Sequence, residues 1–500
     1  MDQEHRWRPK TPLRPGVFDA LPDLVLQRII QFLSSDMKYL KRFRQTSKRI
    51  CMLANPCLFA ELSINSTALI SQSSLGSIEA ALRKDRASVL SQHVQKLRVY
   101  TVPEEWPNNG HMSVNFDCMN FVVARLQNIS TIRWYHMFAS YDYPPKSVDD
   151  LVQTFGLLPS LRELNLALNK LSDDPVTDLS LEPISNLHVF NLEWLHTRRP
   201  HPHMLLQISK LITRSPDIER FSFVIPDATP IEEDFGPSVT LGEILVALDQ
   251  FPNDLHLRSL ETRGVIVNVA DIEQHVRHFK SLVDIRIRFD PSPSAVANIG
   301  EVLSILSVYM IHLKKIHIDK FYHPDVFTYL SSYPGVEDLS LKPGHHLDDS
   351  PEILERFFTS VLPAQAASLR RLRLGVNFDT RWSRPLFTKY LDEVAKCQRL
   401  EYICCWVLIS LADVDANESG NLLSWLSTAL RLPNLRCFKC PPMTLMRRQF
   451  NGIQTVAFKP QQYKRNPDPA IRAHLTKLVE SFEASARPSF DIDISYTKVI

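Results

Sequence analysis

Glycine is scarce, at 13 of 500 residues. A phosphate-cradling loop needs closely spaced glycines, and neither Gly-x-Gly-x-x-Gly nor the Gly-x-x-x-x-Gly-Lys-Ser/Thr pattern occurs. No Gly-x-Ser-x-Gly elbow and no His-Glu-x-x-His pair is present, so the usual serine-hydrolase and zinc-protease signatures are missing. No apolar run approaches the roughly 20 residues needed to cross a bilayer. The segment Met1–Gly16 is polar, basic and proline-bearing, without the apolar stretch of a secretory signal. Eight cysteines, scattered rather than framed, fit a reducing compartment. Neither charge sign dominates, with 57 basic against 55 acidic residues and a net charge of +2. That balance gives no general case for nucleic acid or a membrane surface as partner. The cysteine usage makes the expected location cytoplasmic, nuclear or both; Arg6, Arg8, Lys10 and Arg14 read as a solvated basic arm rather than a nuclear-import signal.

What is present begins with an apolar stretch, Leu21 to Leu33. Leu26, Ile29, Ile30 and Leu33 follow helical spacing, and Pro22 suits a first turn where its missing N–H costs nothing. Leu24, Val25 and Phe32 fall outside that stripe, so the helix is expected to bury two sides. Ser34, Ser35 and Asp36 break it and can cap a second helix from Met37 to about Thr46, with Leu40 and Phe43 inward. Ser47 can cap a third helix carrying Ile50, Leu53 and Ala54, expected to stop near Pro56.

Beyond the Ser-rich stretch 63–75 and a helix carrying Ile78, Ala81 and Leu82, a Leu-x-x-Leu-x-Leu pattern recurs. Its first copies read Leu97/Tyr100/Val102 and Ile132/Tyr135/Met137. Ten more begin at Leu161, Leu187, Ile218, Leu257, Leu282, Leu313, Val336, Leu369, Leu400 and Leu435. The mean spacing of about 31 residues is somewhat longer than the 20–29 of ordinary leucine-rich repeats. Helix-like runs precede several copies: 205–215, 299–311, 351–362, 386–397 and 422–432. The last two apolar positions of each copy lie two apart, on one side of a strand. No unit buries its own core, so neighbours must stack. A further copy at Ile453/Val456/Phe458, a helix over 469–486 and an alternation Phe490/Ile492/Ile494 complete the pattern. The asparagine usual after such strands is mostly absent, Asn169 being the best candidate.

Residues 21–62 resemble an F-box. The features are Leu21-Pro22, Leu24, Leu26, Ile29, Ile30, Phe32-Leu33, then Leu40, Phe43, Ser47-Lys48-Arg49-Ile50 and Leu58-Phe59. Gln45-Thr46 and Ile50 stand where many members carry Val-Cys and a later Trp. With the repeats behind it, the chain resembles a fungal-type F-box protein with degenerate leucine-rich repeats. The expected fold class is α/β: a three-helix F-box followed by a curved leucine-rich-repeat-like solenoid with parallel strands. The expected organisation is a disordered arm over 1–18, the F-box over 19–62, and a linker with a helical cap over 63–93. The solenoid then spans 94–460 and a C-terminal cap 461–500.

The resemblance implies a non-catalytic substrate receptor of an SCF-type ubiquitin ligase. Its F-box would dock on a Skp-type adaptor, and through it on cullin and RING subunits, while the repeats hold a target protein. Leu21, Pro22, Leu24, Ile29, Ile30, Leu33, Leu40 and Phe43 are the adaptor-facing or fold-supporting candidates. The alternative is a repeat scaffold acting outside a ligase. No enzyme activity, cofactor or metal is expected. Cys404, Cys405, Cys437 and Cys440 alternate between the two strand faces and do not converge as zinc requires. The His345-His346-Leu347-Asp348-Asp349 run reads as a polar loop, and His201-Pro202-His203 as a turn.

On the outward strand face, Arg286, Arg288, Lys315, His317, Lys342, Arg371 and Arg373 share a patch with Asp284, Asp319 and Asp338. Such a cluster suits an acidic or phosphorylated segment of the target, the plainer reading being a mixed solvated face. Trp134, His136 and Phe138, together with Tyr402 and Trp406, are also expected outward, where aromatics either anchor a partner or lie under a terminal cap. The insertion 226–239 reads as a loop.

Overall fold

The computed structural model describes residues 17–65, 78–80, 82–83, 89–101, 116–138, 145–170, 179–195, 199–225 and 239–288. It further describes residues 299–321, 325–343, 351–374, 390–405, 407–409, 422–439, 442–444 and 469–493. Two compact units divide the chain: 1–196 with 201–218, and 197–200 with 219–500.

The first unit opens with a short 3₁₀ turn, Val17–Ala20, and three helices: α1 (Asp23–Leu33), α2 (Met37–Arg44) and α3 (Lys48–Leu58). The arm expected to be disordered through residue 18 therefore already has local structure at its end, where Phe18 meets the Phe43 ring edge-on at 5.2 Å. Residues 1–16 lie outside the described residues. The caps fall where the side chains allow. Asp36 accepts from the Lys38 and Tyr39 backbone N–H groups, and Ser47 Oγ accepts from Ile50 N–H at 3.2 Å. Pro56 does not stop α3, contrary to expectation. Proline removes the N–H that would reach the Met52 carbonyl, but Met52 and Pro56 are both exposed, so water can serve that carbonyl.

Five strands follow in this unit: β1 (Glu61–Asn65), β2 (Lys96–Thr101), β3 (Thr131–Phe138), β4 (Glu163–Lys170) and β5 (Val189–Trp194). They pair in sequence order, all parallel. The strand ladder thus begins at Glu61, inside the segment read as the end of the helical module, and residues 63–65 are strand rather than linker.

The second unit contains β6 (Arg220–Val224), β7 (Ser259–Arg263), β8 (Asp284–Arg288), β9 (Lys315–Phe321) and β10 (Asp338–Pro343). It continues with β11 (Arg371–Leu374), β12 (Tyr402–Cys405), β13 (Val407–Ile409), β14 (Cys437–Lys439), β15 (Pro442–Thr444) and β16 (Asp491–Asp493). From β6 to β12 neighbours are again sequential and parallel, then β14 and β16 complete the ladder, while β13 and β15 form a separate parallel pair. The place beside β14 is taken by β16, which reaches it after the helix Pro469–Ala486. A repeat at Ile453/Val456/Phe458 lies outside the described residues.

Helices before the strands, such as Pro202–Thr213, Ile299–Val308, Asp325–Ser332 and Leu422–Ala429, bury one face among large side chains. Trp134, Phe155, Phe190 and Trp194 fill the first unit; Phe223, Phe279, Phe327, Phe357, Phe358 and Trp425 fill the second. Most strands of the ladder start on a recurring backbone clamp. The carbonyl just before one strand accepts two N–H groups from the next copy, as Gln95 does from Ser130 and Thr131, and Glu337 from Arg370 and Arg371.

Varied polar side chains do the work that a repeated asparagine would do. Ser215 Oγ accepts from Leu187 N–H at 3.2 Å, and His278 Nδ1 accepts from Leu255 N–H at 3.1 Å. The Tyr329 hydroxyl donates to Ile311 O at 2.7 Å and accepts from Leu313 N–H. Gln365, fully buried, accepts from Gly335 and Val336 N–H groups and donates to Leu330 and Tyr333 carbonyls. These bonds tie one copy's turn to the next copy's helix, satisfying backbone groups that burial would otherwise strand.

The register differs from expectation in the first two copies. Leu97, Val99 and Thr101 face inward on β2, and Ile132, Trp134 and His136 on β3. The anchors are Val94 and Ile129, each three residues before the expected start and both fully buried. Tyr100 and Tyr135 therefore face outward, and Trp134 and His136 inward, reversing the expected faces. The reason is packing. The Trp134 indole fills the core and its Nε1–H donates to the buried Thr101 hydroxyl at 3.1 Å, which lies 2.5 Å from His136 Nδ1. From Leu161 onward, the remaining copies keep the expected register.

Candidate functional site: two exposed faces

Helix α1 carries apolar residues on opposite sides. Leu26 and Ile30 join Leu40, Phe43, Ile50, Ala54 and Leu58 in one small core, and Leu21, Ile29 and Leu33 pack partly against it. Leu24, Val25 and Phe32 point the other way and are 69%, 40% and 81% exposed. Met37 and Tyr39, at the start of α2, are exposed as well. Of the eight sequence candidates, Ile30, Leu40 and Phe43 are core residues; Leu24 and Pro22 are surface residues; Leu21, Ile29 and Leu33 are intermediate. Val25 and Phe32, which spacing alone could not allocate, belong to the outer side. Arg49 Nε donates to Asp23 Oδ1 at 2.8 Å and fixes the start of α1 against α3. Arg44 donates to Asn55 Oδ1 at 2.8 Å and lies over the Phe59 ring. The outer apolar face is thus presented on a braced module.

The second surface is the outward face of β8–β11. The six predicted Lys and Arg side chains and His317 all lie on it, none of them buried, on adjacent strands paired in register. Their acids are there too, and they pair. Arg286 grips the buried Asp284 through two bonds, Nε to Oδ1 at 3.3 Å and Nη2 to Oδ2 at 3.2 Å, with Glu261 at 3.8 Å. Lys342 stands 4.0 Å from Asp319. Asp338 receives three partners: His317 Nε2 at 3.3 Å, Arg373 at 3.6 Å and Arg371 at 3.9 Å. Burial opposes ionisation of Asp338, but His317, Arg373 and Arg371 outweigh it and hold the carboxyl below its ordinary value. Arg373 also lies over the Tyr402 ring, at 5.4 Å. Tyr402 faces outward as expected, and Trp406 lies outside the described residues. The patch is therefore a mixed network whose cations are partly spent on their own acids.

Cys405 is buried inward, while Cys404 and Cys437 are half-buried on the outward side of β12 and β14; Cys440 lies outside the described residues. Burial pushes both outward thiols above their ordinary pKa. No group of three or more metal-ligating side chains occurs among the described residues. His201 caps a helix rather than closing a free turn, with Nδ1 accepting from His203 N–H at 3.2 Å and Pro202 at the first helical position. The His345–Asp349 run, Phe138's side chain, and residues 226–238 of the insertion are outside the described residues. None of the described helices is long and apolar enough to cross a membrane. No protein-family model matches the chain, and no curated protein matches it.

Proposed function

We propose that the chain is a non-catalytic receptor: its N-terminal helices act as an F-box on a Skp-type adaptor, and its repeats hold a target protein for ubiquitination. The single observation that carries this reading is the two-sided α1 helix. One side closes a core, and the other leaves Leu24, Val25 and Phe32 to a partner. A helix that only capped the strand ladder would have no use for that second side. Behind it, parallel strands present an outward face broad enough to hold a protein. The chemistry would belong to the charged E2, and this chain would supply proximity and orientation.

The test is affinity purification of the full chain with Leu24→Glu and Phe32→Glu introduced together. Both side chains lie outside the module's core, so the helices should persist. Adaptor and cullin should copurify with the unaltered chain and be lost with the variant. Capture of adaptor without cullin would favour the scaffold acting outside a ligase. Capture that survives the double change would reject the F-box assignment.

A further inference from the structure

We propose that the outward strand face of the first unit holds a recognition site, at Tyr100, Tyr135 and Arg133, for a short extended peptide carrying a carboxylate beside a flat side chain. The site deepens the receptor reading, because it names part of the face that would meet the target. It comes from the register of β2 and β3. Tyr100 and Tyr135 are cross-strand partners, and their rings stack in parallel with centroids 4.9 Å apart and planes 4° from parallel. Tyr135 is 38% exposed, an uncommon state for a large ring on a strand. The next residue across is Ala167, whose side chain ends at Cβ, so nothing from β4 at this register rises beside the Tyr135 ring. A flat side chain can extend the stack there.

One step back on the same face stand Arg98 and Arg133, again cross-strand partners. Arg98 is paired with Glu61 and lies beside the Tyr100 hydroxyl; these neighbours raise its pKa further. Arg133 is exposed and has no ion pair or hydrogen-bond partner among the described residues. Its neighbour on β4 is Asn165, whose amide donates to Glu163 at 2.9 Å and whose carbonyl accepts from Asn191 at 2.5 Å. Glu61 and Glu163 are thus already engaged, whereas Arg286, Arg371 and Arg373 of the second unit have acids within 4 Å. A carboxylate brought from outside would be the counter-ion that Arg133 lacks.

Across β1–β5 the outward charges balance, Lys96, Arg98 and Arg133 against Glu61, Glu163 and Glu193. Nucleic acid needs several uncompensated cations, and among the described residues this face carries no net positive charge. The chemistry fits a single carboxylate with a ring next to it, on an extended peptide.

The probe is a fluorescein-labelled heptapeptide with phenylalanine and glutamate two residues apart, so that both face one side of the extended chain, read by anisotropy with the full chain. Three controls accompany it: glutamine replacing glutamate, alanine replacing phenylalanine, and a labelled single-stranded RNA heptamer. The heptapeptide should bind saturably, and each peptide control should bind at least tenfold more weakly. Arg133→Gln and Tyr135→Ala should each weaken the heptapeptide at least tenfold, with thermal melts unchanged, while Lys315→Glu in the second unit should not. Absence of saturable binding to the unaltered chain, equal binding by Arg133→Gln, or tighter binding of the RNA would overturn the site. Should Tyr135→Ala alter the melt, Arg133→Gln decides. Adaptor capture is measured on the same variants and should be unchanged. Failure of capture by the unaltered chain would count against the ligase reading alone, since peptide binding by itself decides the site.

Discussion

Gln365 shows how much one residue can hold in this chain. Its amide makes four hydrogen bonds to backbone groups of the preceding copy while fully buried. Replacement by leucine, similar in bulk, would leave two N–H groups and two carbonyls without partners. Each stranded buried group costs about 1–3 kcal/mol, so Gln365→Leu should destabilise the second unit by at least about 3 kcal/mol, measured by urea unfolding. Exposed Lys315→Ala should move the same transition by less than about 0.5 kcal/mol. Gln365 is not legible in the sequence, because nothing in its neighbours marks a polar residue as buried. The recurring asparagine that would have drawn attention is replaced by Ser215, His278, Tyr329 and Gln365 in different copies. Each solves the same backbone problem with different atoms.

At the scale of elements, α1 separates two kinds of apolar residue that share one pattern. Ile30→Ala removes a buried branched side chain from a small core and should cost about 2–5 kcal/mol. Leu24→Ala should cost less than about 0.5 kcal/mol, since the residue is 69% exposed. Hydrogen exchange of the α1–α3 amides would read the contrast: protection should fall for Ile30→Ala and persist for Leu24→Ala. Removing the Asp36 carboxylate, which accepts two backbone N–H groups at the start of α2, should cost about 1 kcal/mol by the same measurement. The three helices were legible because caps, proline and apolar spacing agreed. Their C-terminal limit was not, because Pro56 is tolerated where water can reach the freed carbonyl.

Across the whole chain, buried histidines tie stability to pH. His136 is pushed down to about 3, and His278 to about 4, chiefly by burial and for His278 also by the neighbouring Arg277. His278 accepts from Leu255 N–H, and the Arg277 Nε–H group faces its other nitrogen, so a charged ring fits poorly. Unfolded histidine titrates near 6.5. The unfolded chain therefore binds protons first. These residues contribute stability above about pH 6.5 that is lost as the pH falls towards 4 at His278, and towards 3 at His136. Asp338, whose carboxyl is held below its ordinary value, contributes stability that disappears only below the usual aspartate range. Melting temperature should fall between pH 6.5 and 4, and His278→Gln should flatten that slope. An unchanged slope would remove His278 as its source.

The repeating architecture was readable from the sequence because each copy spaces its apolar residues as a strand requires, and ten of twelve copies use the expected register. That pattern by itself determined parallel strands alternating with helices, and the places of Arg286, His317, Arg371 and Arg373 on one outward face. Only the tertiary structure decided whether those side chains were free: Asp338 on β10 draws His317 from β9 and Arg371 and Arg373 from β11, while Arg286 is held by Asp284 of its own strand and stands near Glu261 of β7. Only the tertiary structure decided the faces of β2 and β3 as well. Side chains along a strand alternate with a period of two, so a three-residue shift exchanges inside for outside. Tyr100 and Tyr135 fit the inward pattern as well as Val99 and Trp134 do. What settled the choice was the volume and hydrogen bond that Trp134 finds beside Thr101, and that neighbour lies on another strand, 33 residues away.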